Sequence, residues 1–291
     1  MFRELILIAT TTSLLINGLR AQIERISHEA RGRVGVSVML LETGDSTEFH
    51  GNEHFPMQSV YKFPIGMAVL HEVERGALSL EQKVRVEQSD MVPAKAHSPI
   101  RDEHPQGGVE FSVRELLRYM VAESDGTASD VLLRLAGGPE QVTAYLRSLG
   151  VREIVVATSE KEMASDEQVQ YRNWATPNAI AGLLRMLYEG RGLSAESRAL
   201  LLQFMTESNT GPRRIKGRLP AGTIVAHKTG TSNTVNGLTR ATNDAGIITL
   251  PDGRHLIVAV FVSDSTANVA TRESVIAKIA RAAWDSAVQS H

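Results

Sequence analysis

The chain has 291 residues, 42% of them hydrophobic and 22% charged, which is enough to bury a sizeable core as one large domain or two lobes and is not the composition of a disordered chain. Its 31 basic and 33 acidic side chains leave a net charge of −2 with both signs interspersed, which excludes nucleic acid or an anionic membrane surface as the main partner and points to a small molecule. No cysteine is present, so disulfides, thiolate metal sites and a lipid-bearing cysteine anchor are excluded.

The chain opens Met1-Phe2-Arg3-Glu4, runs through Leu5-Ile6-Leu7-Ile8-Ala9 to Leu19, and offers small Ala21 before a cleavage position. Residues 1–21 therefore read as a signal peptide, too short and too interrupted to span a bilayer, and predict a periplasmic or secreted chain with no stable membrane anchor. An amphipathic helix is expected from Gln22-Ile23-Glu24-Arg25-Ile26, then a buried strand over 33–41 with a hairpin partner near Ser46 to His50. His50 and His54 have the spacing of a zinc-ligand pair, but Gly51-Asn52 and Pro56 make the segment a loop, and neither metal nor cofactor is expected.

Next comes Ser59-Val60-Tyr61-Lys62, followed by Phe63-Pro64-Ile65-Gly66-Met67-Ala68-Val69-Leu70, a stretch almost without polar residues that predicts a helix buried on most sides. If Ser59 and Lys62 are helical they lie on one face, within reach of each other. Read alone, the pair is a helix cap and a solvated charge, since Ser-x-x-Lys is common by chance. Helices are expected at Ser112 to Glu123, Ala128 to Leu135 and Pro139 to Leu149, with Ser124-Asp125-Gly126 in a loop that is either a turn or part of a site. Thr223-Ile224-Val225-Ala226-His227 predicts a strand that runs into Lys228-Thr229-Gly230, where the plainer reading is an edge strand guarded by a lysine. Ala245 to Leu250, the turn Pro251-Asp252-Gly253 and His255 to Ser263 predict a hairpin, and residues 267–289 a terminal helix.

Strands at both ends with helices between them imply an α/β chain of the α+β type: an antiparallel sheet of about five strands flanked by terminal helices, plus an all-helical lobe. The expected division is residues 22–55 and 207–291 for the sheet lobe and 56–206 for the helical lobe, with the site in the cleft between. A serine hydroxyl is a poor nucleophile without a nearby base and a cationic pocket for the anion it forms. Two lysines and a second serine, 65 residues after the first and 104 before Lys228, are the parts such a site needs.

On these three motifs, in this order, the chain from about residue 22 onward resembles the serine penicillin-recognising enzymes and most closely the class A β-lactamases. Their Ω-loop glutamate stands 36 residues after the middle-motif serine, which here is Glu160, and the loop near 158–175 is similar to the longer loop of an extended-spectrum subgroup. The resemblance implies hydrolysis of a β-lactam amide through an acyl-enzyme on Ser59, by a monomer that confers antibiotic resistance. Lys62 and Glu160 would be proton acceptors, Ser124 a proton relay, and the backbone N–H groups of Ser59 and Thr231 the oxyanion hole. Lys228, Thr229, Gly230, Thr231, Ser232 and Arg214, with Gly126 and His97 at the mouth, would bind substrate. The same motifs serve D-alanyl-D-alanine carboxypeptidases and β-lactam-binding proteins that do not hydrolyse, and for those Glu160 has no counterpart. This chain departs from the family in carrying Gly126 where Asn is usual, and Thr158 and Ala164 where a bracing Arg and a water-holding Asn are usual, so that Glu162 competes with Glu160 for the role of base.

Overall fold

The computed structural model describes residues 18–289. The expected leader falls mainly on residues 1–17 and lies outside them; residues 18–27 form a helix that buries Leu19 and Ile23. Among the described residues no helix is long and apolar enough to cross a membrane.

Five antiparallel strands form the sheet, in the order Ser46–Phe49, Arg33–Leu40, His255–Ser263, Thr242–Thr249, Val225–Thr231. Alternation sorts their side chains. Val34, Val36, Val38 and Leu40, with Leu256, Val258, Val260 and Val262, join Ile23, Val275, Ile276 and Ile279 in a core under the two terminal helices. Ile257, Ala259 and Phe261 point the other way, into the core of the helical lobe. With both faces covered, the strands read as nearly continuous apolar runs, which is why they were legible.

The helix Lys62–Glu74 runs through the middle of the helical lobe, with every residue from Lys62 to Leu70 buried. Helices Val113–Ala122, Gly126–Leu135, Pro139–Ser148 and Ala195–Thr206 pack around it. The lobe is not all helical: Lys83–Glu87 pairs with Gly107–Ser112, and Phe55–Pro56, Trp174–Ala175 and Ile154–Val155 form a short three-stranded piece. Two-residue strands are too short to show a period, so tertiary pairing alone defines them. The strand expected from Ala245 starts earlier, at Thr242, because Thr242, Asn243 and Asp244 are polar yet wholly buried.

Candidate functional site

Ser59 lies on a 3₁₀ turn, Gln58–Tyr61, that leads directly into the helix Lys62–Glu74. It caps nothing with its side chain, and Lys62 is only 1% exposed, so the cap-and-solvated-charge reading does not describe this pair. The Lys62 ammonium donates to the Ser124 carbonyl at 2.6 Å and pairs with Glu160 Oε1 at 2.9 Å. That second contact is an ion pair without hydrogen-bond alignment, so the buried Oε1 keeps an acceptor direction to spare.

Ser124 joins the two lysines. It sits in the left-handed backbone region, φ 60°, with its carbonyl toward Lys62 and its hydroxyl accepting from Lys228 Nζ at 2.9 Å. A non-glycine residue holds that conformation only when its surroundings overdetermine it. Asp125 provides part of that frame. Fully buried, it caps the helix Gly126–Leu135 through Ala128 N–H and accepts from Ile100 N–H and the Ser98 hydroxyl. The turn-or-cap reading of this motif is thus true of Asp125, alongside whatever Ser124 does.

Lys228 lies on the edge strand Val225–Thr231, as the plainer reading had it, but it is fully buried and guards no edge. Burial, then repulsion from Lys62, pushes its pKa well below the usual lysine range, while Asp244 and Glu160 pull the other way. Gly230 allows the strand to meet the turn that carries Ser59: a Cβ there would collide with the Met57 carbonyl and sit 3.2 Å from Ser59 N. The Thr229 hydroxyl is paired with Thr210 at 2.6 Å, and the Ser232 hydroxyl accepts from Ala241 N–H at 2.9 Å.

Ser59, Lys62, His97, Glu160, Thr231 and Ser232 line a cavity of about 260 Å³. Arg214 does not line it. The residue is 4% exposed, not part of a solvated basic run, and its side chain passes behind the strand to the Gly230 and Asn243 carbonyls and to the Thr231 hydroxyl at 2.6 Å, beside Glu273. It reaches the cavity only through Thr231. His97 lies at the exposed rim and contacts the Glu123 carbonyl at 2.9 Å. A Cβ on Gly126 would lie 3.0 Å from the His97 carbonyl, 3.3 Å from Val92 and 3.5 Å from Glu160 Cγ, so a side chain there would crowd the segment carrying His97 by a few tenths of an ångström.

Glu160 opens the short helix Glu160–Met163. Two residues unforeseen in the sequence hold it. Asp130 accepts from the backbone N–H groups of Glu160 and Lys161 at 2.7 and 3.0 Å. Buried Asn173 accepts from Ala157 and Thr158 N–H at 2.7 and 3.0 Å and donates to the Thr158 carbonyl, bracing the loop where Thr158 replaces the usual Arg. The spacing Gly126 to Asp130, one helical turn, was the available signal for the first; nothing local marks the second. Glu162 is committed elsewhere: it accepts from the Thr158 hydroxyl and Ser159 N–H in a capping box, and these bonds lower its pKa. The two loop histidines also part company, His50 pairing with Glu53 and His54 stacking on Trp174.

Asp130 supplies a pH signature. Burial first, then the like charge of Glu160, pushes its pKa up from 3.8 to about 6. A carboxyl raised on folding adds stability that is complete below its unfolded value and is lost as pH rises through the folded value. Wild type is therefore expected to lose about 2–3 kcal/mol of stability as pH rises over roughly pH 4–6 in urea unfolding, a fall that Asp130→Asn lacks. Parallel stability profiles for the two proteins over that window would sink the assignment.

A serine beside two buried lysines and a second serine, all at the meeting of a sheet edge and a buried helix, is the equipment of an acyl-transferring serine enzyme. Residues 18–287 match the model of the β-lactamase enzyme family, and the chain belongs to that family, as a class A serine β-lactamase. It is 44% identical over 268 residues to the extended-spectrum β-lactamase PER-1 of Pseudomonas aeruginosa, covering 91% of this chain and 86% of that one. It is 40% identical over 271 residues to β-lactamase VEB-1 of the same organism, covering 92% and 90%. Among solved structures, a β-lactamase from Chitinophaga pinensis superposes with a TM-score of 0.91 at 47% identity, over 93% of this chain and 99% of that one.

Proposed function

We propose that this chain hydrolyses penicillins and cephalosporins, and so confers resistance to them, through an acyl-enzyme on Ser59. The observation that carries this is that Glu160 and Ser59 open onto one cavity, with Lys62 bonded toward both Glu160 and Ser124. Ser59 Oγ attacks the lactam carbonyl carbon as its proton passes to the Lys62–Glu160 pair. The C–N bond breaks and the lactam nitrogen takes the proton of the Ser124 hydroxyl, which is replenished from Lys62. The carbonyl oxygen of the intermediate lies between the N–H groups of Ser59 and Thr231. A water then gives its proton to Glu160, attacks the ester, and Ser59 leaves with a proton restored. Lys228, Thr229, Thr231 and Ser232 receive the substrate carboxylate, with Arg214 acting on it through the Thr231 hydroxyl, while Gly230 keeps the strand close and Gly126 and His97 shape the mouth.

The extended-spectrum description of PER-1 and the rim contacts Arg240–Glu167 and Gln58–Gln170, which join the long loop to the rest of the cavity wall, support acceptance of oxyimino-cephalosporins. Export after cleavage of the leader, action as a monomer and the two-lobe division fit the same reading. A carboxypeptidase or a β-lactam sensor has no use for a glutamate placed and braced as Glu160 is. Steady-state assays with a penicillin, an oxyimino-cephalosporin and a carbapenem are expected to show turnover of the first two. If all three acylate Ser59 and none is turned over, the hydrolase reading fails.

A further inference from the structure

The polar, buried start of the strand Thr242–Thr249 has no part in the chemistry above. Asp244 lies there at 0% exposure, opposite Thr229 in the sheet register, next to the pair Ala245 and Lys228. One carboxylate oxygen pairs with His227 Nδ1 at 2.8 Å; the other accepts from Ile215 N–H at 3.1 Å. It thereby ties its own strand to the Lys228 strand and to the turn Ile215–Arg218, which begins directly after Arg214.

His227 Nε2 is buried with no partner. Asp244 thus spends one oxygen on His227 and the other on a backbone N–H, and its carboxylate also acts on groups beyond these two. That charge faces cations. Asp244 favours the charged forms of Lys228, Arg214 and Lys216, each of which burial disfavours. The other charged groups around Lys228 are Lys62, Arg214 and Glu160; Glu160 is paired to Lys62, and Glu273 is shared by Arg213 and Arg214. Asp244, on the adjacent strand one register position from Lys228, is the carboxylate among these groups that pairs with none of the lysines or arginines.

We propose that Asp244 is the buried counter-ion of the anion-binding strand, a positioning residue that keeps Lys228 an ammonium and holds Arg214 in register for the substrate carboxylate. This rests on the reading above that the carboxylate docks at Lys228. Removing a negative charge beside a lysine favours its neutral form, so the ammonium is lost at lower pH.

The test is the pH profile of kcat and KM for a penicillin from about pH 6 to pH 10 in wild type, Asp244→Asn and His227→Phe. In Asp244→Asn the alkaline limb of kcat/KM is expected to move acid by about one unit, through a rise in KM with kcat near neutrality within about threefold of wild type. His227→Phe keeps the carboxylate charge; it is expected to melt lower and leave the limb in place. A limb that stays put in folded Asp244→Asn, or moves equally in both variants, overturns the proposal. If Asp244→Asn does not fold, Asp244→Glu keeps the charge one methylene further out and is expected to retain the wild-type limb; an acid-shifted limb there overturns it too. Lys228→Ala separates the two layers, because an unchanged KM in that variant removes the docking reading itself, whatever Asp244 does.

Discussion

Replacing Glu160 by glutamine is expected to stop deacylation while leaving acylation of Ser59 running, so that the protein mixed with a penicillin gains the mass of one penicilloyl group and keeps it. Glutamine is nearly isosteric and leaves the backbone bonds from residues 160 and 161 to Asp130 intact, so the loop holds its place. What is lost is the proton acceptor for the hydrolytic water, and a positioned general base contributes about 10²–10⁴-fold. Turnover should fall by about 10³-fold, with the adduct visible by intact-protein mass spectrometry. Lys62 loses its ion pair but keeps the Ser124 carbonyl, so acylation slows less than deacylation. Rapid turnover without accumulation of adduct would take Glu160 out of the role, and Glu162, bound into its capping box, would have to be reconsidered.

Lys62→Met is expected to have the second large effect, on kcat and not on KM. The substitution fills much of the lysine volume but leaves Glu160 without its cation and the Ser124 carbonyl without its donor. Breaking one side of a buried ion pair costs about 3–5 kcal/mol. Part of that is offset here, because Lys62 repels the buried ammonium of Lys228. With the repulsion gone, Lys228 holds its proton more firmly and the substrate carboxylate binds at least as well. Steady-state kinetics should therefore show kcat lower by about 10³-fold with KM unchanged or reduced. A raised KM with near-normal kcat would mean that Lys62 serves binding and not proton transfer.

Much of this site was readable as residue types and spacings. Ser59, Lys62, Ser124, Glu160 and Lys228 could be picked out by type and interval, and the main elements between them were long, apolar and periodic. Harder to read were the residues that act sideways. Asp130 and Asn173 hold the Glu160 loop from 30 and 15 residues away or more, and neither stands in any local pattern. Arg214, expected among the substrate-binding residues, approaches the strand from behind, so its contact with the cavity runs through Thr231. Gly126 looked like a loss; in the fold, the His97 segment packs closely against that position.

By itself the sequence determined the class of chemistry and the arrangement of layers, because nucleophile, lysines and glutamate are chemical types, and the burial of strands and helices is written in hydrophobic period. Only the tertiary structure decided the electrostatics: which charge faces which, that Lys62 is paired to Glu160, that Lys228 is fully buried, and that Asp244 stands behind it. These depend on distance and desolvation between residues far apart in the chain, and no one-dimensional pattern carries either.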